Sequence, residues 1–267
     1  MKNKMYCKRF SVIELLIVII IIMVLVALLI PSLIRAKEKS KRIVCNNSQR
    51  QFIMTMNLMA KDHDGNYREF NDAGKWRHIH WLKNAQYDMI KEDYKLDMHV
   101  DVDCPSRPDS WNAHNIRSRQ RLSYLIQVGR PYVATTNRRG IETNKTSGFD
   151  GRLGYEWEEW ESPVKVGESS ANLVMISDID EYMLNVGFNT TVMNSRLTSK
   201  SPIGTGTMIS HGSGGYQVSM GSAVEPEVLG SEGVMVGYED GSVQWVDIKD
   251  MKPRRSNIGE TRKTGWW

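Results

Sequence analysis

Phe10-Ser11-Val12-Ile13-Glu14-Leu15-Leu16-Ile17-Val18-Ile19-Ile20-Ile21-Ile22-Met23-Val24-Leu25-Val26-Ala27-Leu28-Leu29-Ile30-Pro31-Ser32-Leu33-Ile34 is the stretch on which the fold turns. Across these 25 residues Glu14 is the one charged side chain, and Leu15 to Ile30 is an unbroken apolar run. At about 1.5 Å of helical rise per residue, the segment is long enough to cross a hydrocarbon layer of roughly 30 Å, so residues 10–34 are predicted to span a membrane. A cleaved secretory signal would instead carry an apolar core of roughly 7–15 residues closed by small residues. Here the core is longer and is followed by Pro31-Ser32-Leu33-Ile34-Arg35.

The surroundings of this segment are polar and ordinary. At 267 residues, the chain has room for a substantial domain beside the helix. Its formal net charge of +4 is carried by Lys2, Lys4, Lys8 and Arg9 in a leader without acids, so residues 10–267 sum to zero. No basic field is left on the body to attract a polyanion, and no nucleic-acid partner is expected. Four basic residues precede the span and five follow it, Arg35, Lys37, Lys39, Lys41 and Arg42, so the positive-inside rule does not orient it.

Glu14 asks for a partner. A carboxylate inside an apolar span costs on the order of 3 kcal/mol on insertion scales, and no Lys, Arg or His lies between Phe10 and Ile34. The compensating charge comes either from another molecule or from a new N-terminus at Phe10, one helical turn away. The bland alternative is a carboxylate near the interface that reaches water or is protonated.

With these residues in view, Lys8-Arg9-Phe10-Ser11-Val12-Ile13-Glu14-Leu15-Leu16 resembles the processing site of type IV prepilins and type II secretion pseudopilins. The resemblance covers roughly residues 8–34. It implies a basic leader at 1–9, cleavage between Arg9 and Phe10 by a prepilin peptidase on the cytoplasmic side, and N-methylation of Phe10. It further implies that Glu14 pairs with the N-terminal amine of a neighbouring subunit during assembly, and that the body lies outside the cytoplasmic membrane of a bacterium. Arg9 stands where most members carry glycine. The implied partners are the peptidase, copies of this chain or other pilin-like subunits, and membrane lipid.

Beyond the span, Val44 or Cys45, Phe52, Met56 and Met59 are spaced as one apolar stripe, which carries the helix to about Ala60. Lys61-Asp62-His63-Asp64-Gly65-Asn66 is a stop signal, with Gly65 and Asn66 suited to a left-handed turn. Asp62, Asp64 and Asn66 do not make a calcium loop, because glycine falls at the fourth position instead of the sixth. The expected organisation is a leader at 1–9, a helix at 10–60 and a globular domain at 61–267.

The body is rich in Gly, Ser, Asn and Trp, with strand-like stretches at Leu122–Val128, Asn172–Ile176 and Gly233–Ile248. The predicted fold class is therefore α+β, a long pilin-like N-terminal helix followed by a mainly antiparallel β domain. Asp240-Gly241 between alternating apolar stretches predicts a two-residue hairpin with Tyr238 opposite Val243 and Val236 opposite Trp245, all on one apolar face. This region resembles large prepilin-type proteins with a processing-associated H-X9-DG arrangement, through Cys45 and the following Asn46 to Gln51, Asp103-Cys104-Pro105-Ser106, His211-Gly212 and Asp240-Gly241. In this chain 28 residues separate His211 from Asp240, the difference falling around Ser213–Ser231.

Three cysteines, Cys7, Cys45 and Cys104, are few and scattered, which argues against a zinc site, and no metal or cofactor is expected. With the leader removed, Cys45 and Cys104 either form one disulfide in an exported protein or stay as two buried thiols; they are the disulfide candidate. Catalysis would start from His211 with Asp240, or from His78 and His80 as metal ligands. No nucleophile elbow, phosphate loop or HExxH accompanies them, so no enzyme is expected. Trp76, Trp81, Trp111, Trp157, Trp160 and Trp245 serve either as core or as stacking surfaces for a ligand such as a carbohydrate. The two readings that remain are a filament subunit and an unassembled surface protein displaying a ligand-binding domain.

Overall fold

The computed structural model of the chain describes residues 11–68, 81–106, 119–122, 124–129, 148–150, 155–157, 161–168, 172–178, 181–186, 204–212, 215–220, 224–255 and 263–266. The leader, Arg9, Phe10, Trp76, His78, His80, Trp111, Trp160 and Trp267 lie outside these residues. The architecture is α+β: a long N-terminal helix whose later part packs on antiparallel sheet.

Helix α1 runs from Val12 to Lys61 and continues through Pro31. The chain forms two compact units, Met1–Ser40 and Lys41–Trp267. In the first, every residue from Ser11 to Lys37 is exposed, and no large apolar side chain between Val12 and Ile34 is less than 38 % exposed. Such a stretch is apolar on all sides, the pattern of a helix whose solvent is hydrocarbon. By length and composition it is able to cross a membrane.

In the second unit the same helix becomes one-sided. Cys45, Ser48, Gln49, Phe52, Ile53, Met56, Met59 and Ala60 are buried, while Val44, Met54 and Leu58 are exposed. Steps of three and four residues keep the buried set on one stripe, and Cys45 rather than Val44 begins it. The helix ends through Asp64 and Gly65, both with positive φ, as Gly65 N–H donates to Ala60 O at 2.8 Å. The helix from Lys41 onward thus supplies part of the core of the second unit.

The stripe packs on a four-stranded antiparallel sheet with strands ordered β11-β10-β6-β3. These are β3 (Tyr124–Ile126), β6 (Val174–Asp178), β10 (Gly233–Tyr238) and β11 (Val243–Asp247). Phe52, Ile53, Met56 and Met59 share one core with Tyr124, Ile126, Met175, Ile176, Met235 and Val243. Tyr87 and Ile90 of helix α2 (Asn84–Asp93) extend it. Full burial of each large aliphatic or aromatic side chain contributes roughly 1.5–3 kcal/mol. Leu125, Val234 and Val236 enter a second cluster with Met251 and Trp266, so the sheet is apolar on both faces.

Trp266 belongs to a five-stranded antiparallel sheet ordered β12-β13-β7-β8-β9. Its strands are β7 (Glu181–Val186), β8 (Gly204–Gly212), β9 (Gly215–Met220), β12 (Pro253–Arg255) and β13 (Lys263–Trp266). Two small pairs complete the described sheets: β1 (Trp81–Lys83) with β2 (Arg119–Arg121), and β4 (Gly148–Asp150) with β5 (Tyr155–Trp157).

The β10–β11 hairpin forms where the Asp-Gly signal places it, but its register differs by one residue. Met235 pairs with Trp245, Val236 with Gln244 and Gly237 with Val243. Tyr238 N–H donates to Ser242 O and Gly241 N–H to Tyr238 O, so the loop is Glu239-Asp240-Gly241 with Gly241 at φ 86. A three-residue loop with a left-handed glycine replaces the expected two-residue turn. A slip of one residue exchanges the faces. Val243 therefore lies in the helix-side core with Met235, whereas Val236 lies in the second cluster, with Tyr238 packed against it.

Gly237 is where helix and sheet come closest. A Cβ there would lie 2.7 Å from Ile53 Cδ1 and 2.9 Å from Ile176 Cγ2. Gly237→Ala is expected to lower stability by about 1–3 kcal/mol through overpacking, measured by chemical denaturation of the full chain in detergent. Unchanged stability would show that the helix and sheet are not closely packed here.

Candidate functional site

Three amide side chains on helix α1 dock the hairpin. Asn46 Nδ2 donates to Val243 O at 3.2 Å, Gln49 Nε2 to Met235 O at 3.1 Å and Asn57 Nδ2 to Glu239 O at 3.3 Å. Arg42 adds a guanidinium 4.0 Å above the Trp245 ring and pairs with Glu232. Polar helix residues are thus consumed in fixing the helix against the sheet, and they surround a cluster of unusual composition.

Cys45 from α1, Cys104 from the segment after α2, Asp178 from the end of β6 and His211 from β8 are all fully buried. One ligand atom from each lies within 4.8 Å of the others. Cys45 Sγ donates to Cys104 Sγ at 3.3 Å, His211 Nε2 lies 3.9 Å from Cys104 Sγ, and His211 Nε2 lies 3.1 Å from Asp178 Oδ2. Asp178 Oδ1 accepts from Gln49 Nε2 at 3.1 Å and Oδ2 from Met235 N–H at 2.7 Å. His211 Nδ1 is 3.2 Å from Ser106 Oγ, and the Trp245 ring meets the imidazole edge-on at 5.8 Å.

The electrostatics of the sulfur pair follow from this packing. Burial pushes the Cys104 thiol up, but hydrogen bonds with Cys45 and His211 outweigh it and hold the group at about 6. The Cys45 thiol is pushed well up by its bond to Cys104 and then by burial. Tyr124 is also fully buried; its hydroxyl lies beside Cys45 without a hydrogen bond of normal geometry.

Several sequence expectations meet this geometry. Cys45 and Cys104 do come together, as two free thiols whose separation exceeds the roughly 2.05 Å of a covalent S–S bond. The carboxylate beside His211 is Asp178, not Asp240. Asp240 is exposed in the hairpin turn, where its Oδ1 accepts from Ser242 N–H at 2.8 Å and its N–H donates to Asn172 Oδ1. Gly241 serves the turn beside it. The scatter of cysteines along the chain, the ground for expecting no metal, does not persist in space, because four separate segments converge. Asp178 carried no motif, and the signal that could have singled it out is an acidic residue closing the apolar strand Val174-Met175-Ile176-Ser177.

The segment delivering Cys104 and Ser106 is itself clamped. Asp97 accepts from Tyr87 Oη at 2.6 Å and from His99 N–H at 3.0 Å, and pairs with Lys91 Nζ at 2.6 Å. Asp101 N–H donates to Asp97 O at 2.7 Å.

At the other end of α1, Ser11 N–H donates to Glu14 Oε2 at 2.9 Å and Ile13 N–H to Ser11 Oγ at 3.3 Å. The Glu14 bond is the reach-back half of a capping box, the S-x-x-E spacing that reading Glu14 as a buried charge passes over. Arg9 and Phe10 lie outside the described residues, as do Trp76, Trp111 and Trp160 among the tryptophans considered for stacking. Trp245 is half-buried at the cluster and Trp266 is buried. The chain matches no protein-family model, no curated protein and no solved structure.

Partial burial raises the Asp97 carboxyl, but hydrogen bonds from Lys91, Tyr87 and the His99 N–H prevail and hold it at about 2. A carboxylate held below its unfolded value of about 3.9 stabilises the fold above that value, and the contribution is lost as pH falls through about 2. Asp97→Asn is therefore expected to lower the thermal midpoint at neutral pH, with the difference from wild type vanishing at the acid end. A difference independent of pH would refute the clamp.

Proposed function

We propose that the chain is a membrane-anchored, pilin-like structural subunit. The observation that carries the reading is a single helix that is apolar on every side over Val12–Ile34 and one-sided from Cys45 onward. The first part anchors the chain in the bacterial cytoplasmic membrane; the second is the spine of a body held outside the cytoplasm. A prepilin peptidase cleaves between Arg9 and Phe10 and the new amine is methylated. Subunits, copies of this chain or related ones, then assemble through their apolar helices into a pilus or a secretion-associated filament.

Glu14 has two tasks in this proposal. It accepts the Ser11 N–H of its own helix, and its carboxylate has further acceptor capacity for the N-terminal amine of a neighbour. The reading is structural rather than catalytic, supported by the full burial of Cys104, Asp178 and His211, which leaves a substrate no access to them.

The two tasks of Glu14 separate by substitution. Glutamine retains the capping-box acceptor and removes the charge, whereas alanine removes both. Crosslinked multimers are expected to fall to background in both Glu14→Gln and Glu14→Ala. Wild-type assembly in Glu14→Gln would eliminate charge pairing, and wild-type assembly in both would favour an unassembled surface protein on the same anchor. Mass spectrometry of the mature chain is expected to find N-methylated Phe10; an intact Met1 refutes processing.

A further inference from the structure

We propose that Cys45, Cys104, Asp178 and His211 form a structural zinc site that ties helix α1 to both large sheets. The spacing of the donors is close to that around a tetrahedral ion. Bonds of about 2.0–2.3 Å from zinc to nitrogen, oxygen and sulfur place ligand atoms roughly 3.3–3.8 Å apart. Three of the six pairs stand at 3.3, 3.9 and 3.1 Å, and all six lie within 4.8 Å, close enough for small side-chain shifts to close them on one ion.

Donor chemistry selects the metal. Two thiolates exclude magnesium and calcium, which take oxygen ligands, and a carboxylate disfavours copper(I). Two sulfurs, one imidazole nitrogen and one carboxylate oxygen suit zinc. Four buried protein ligands leave no open position for water, which makes the site structural and not hydrolytic.

The surroundings match what zinc ligands require beyond their own atoms. A ligating histidine donates its other ring N–H to an acceptor, and Ser106 Oγ stands 3.2 Å from Nδ1. A ligating carboxylate is itself hydrogen-bonded, as Asp178 is by Gln49 and Met235. The Tyr124 hydroxyl, a buried donor without a normal hydrogen bond beside Cys45, finds a strong acceptor once Cys45 is a thiolate. Zn²⁺ binds both sulfurs as thiolates, any proton they still hold passing to solvent, and leaves no sulfur pair to oxidise, so zinc and a Cys45–Cys104 disulfide are mutually exclusive.

The test uses the full chain purified from membranes in detergent, without added metal or reductant. Elemental analysis is expected to find about one zinc per chain. Replacement by Co²⁺ should give the intense visible bands of tetrahedral cobalt together with a thiolate charge-transfer band. Neither readout needs a variant. Cys104→Ser and His211→Ala are expected to bring bound zinc to background, and Ser106→Ala to weaken zinc affinity by about 10–100-fold in competition with a chromophoric chelator. Wild-type protein with reduced thiols, no zinc and no tetrahedral cobalt spectrum would overturn the proposal. A metal-free chain lighter by two hydrogens would overturn it in favour of the disulfide, and stoichiometric iron or nickel in place of zinc would overturn the choice of metal.

Discussion

One helix carries two surface patterns in succession, apolar on every side and then one-sided, and the rest of the structure follows from that change. Between Leu15 and Ile30 no side of α1 is polar, so no register of the helix on a protein surface would cover it. From Lys41 the sequence becomes selective: apolar residues recur every three or four positions, and amides fill the gaps between them. Asn46, Gln49 and Asn57 reach carbonyls of the β10–β11 hairpin, which fixes the rotation of the helix on the sheet. Gly237 then sets how closely the two approach.

Asp178 is the pin that holds this packing in a single arrangement. It is fully buried, yet it accepts from a helix side chain and a β10 backbone amide, and faces an imidazole from the other large sheet. Burying a carboxylate without partners would cost several kcal/mol, and breaking a buried pair by removing one member costs about 3–5. With Cys45, Cys104 and His211 closing the remaining sides, its chemistry points inward.

The parts of the structure legible in the sequence are those governed by short-range periodicity. The membrane-length helix, its end after Lys61, the strands at 124–126, 174–178 and 233–247, and the contact between Cys45 and Cys104 all lay within reach. The hairpin register did not, because Asp240-Gly241 is compatible with loops of two or three residues, and the glycine at φ 86 selects the longer one. The partner of His211 was hidden for a different reason. Asp240 shares a motif with the histidine, whereas Asp178 is brought to it only by the pairing of strands in two sheets. Ser11 and Glu14 stand at capping-box spacing, and because the box lies at the edge of an apolar run the same glutamate also reads as an uncompensated charge.

The claim on which the account rests is that Val12–Ile34 lies in lipid while the continuation of the same helix is protein core. Spin labels placed singly along this segment, in the full chain reconstituted into bilayers with Cys7 replaced by serine, measure it directly. Labels around Ile22 should be relaxed by oxygen and protected from a water-soluble nickel chelate on every face, whereas a label at exposed Met54 should be reached by the chelate. Equal access of the chelate to Ile22 and Met54 would contradict the account.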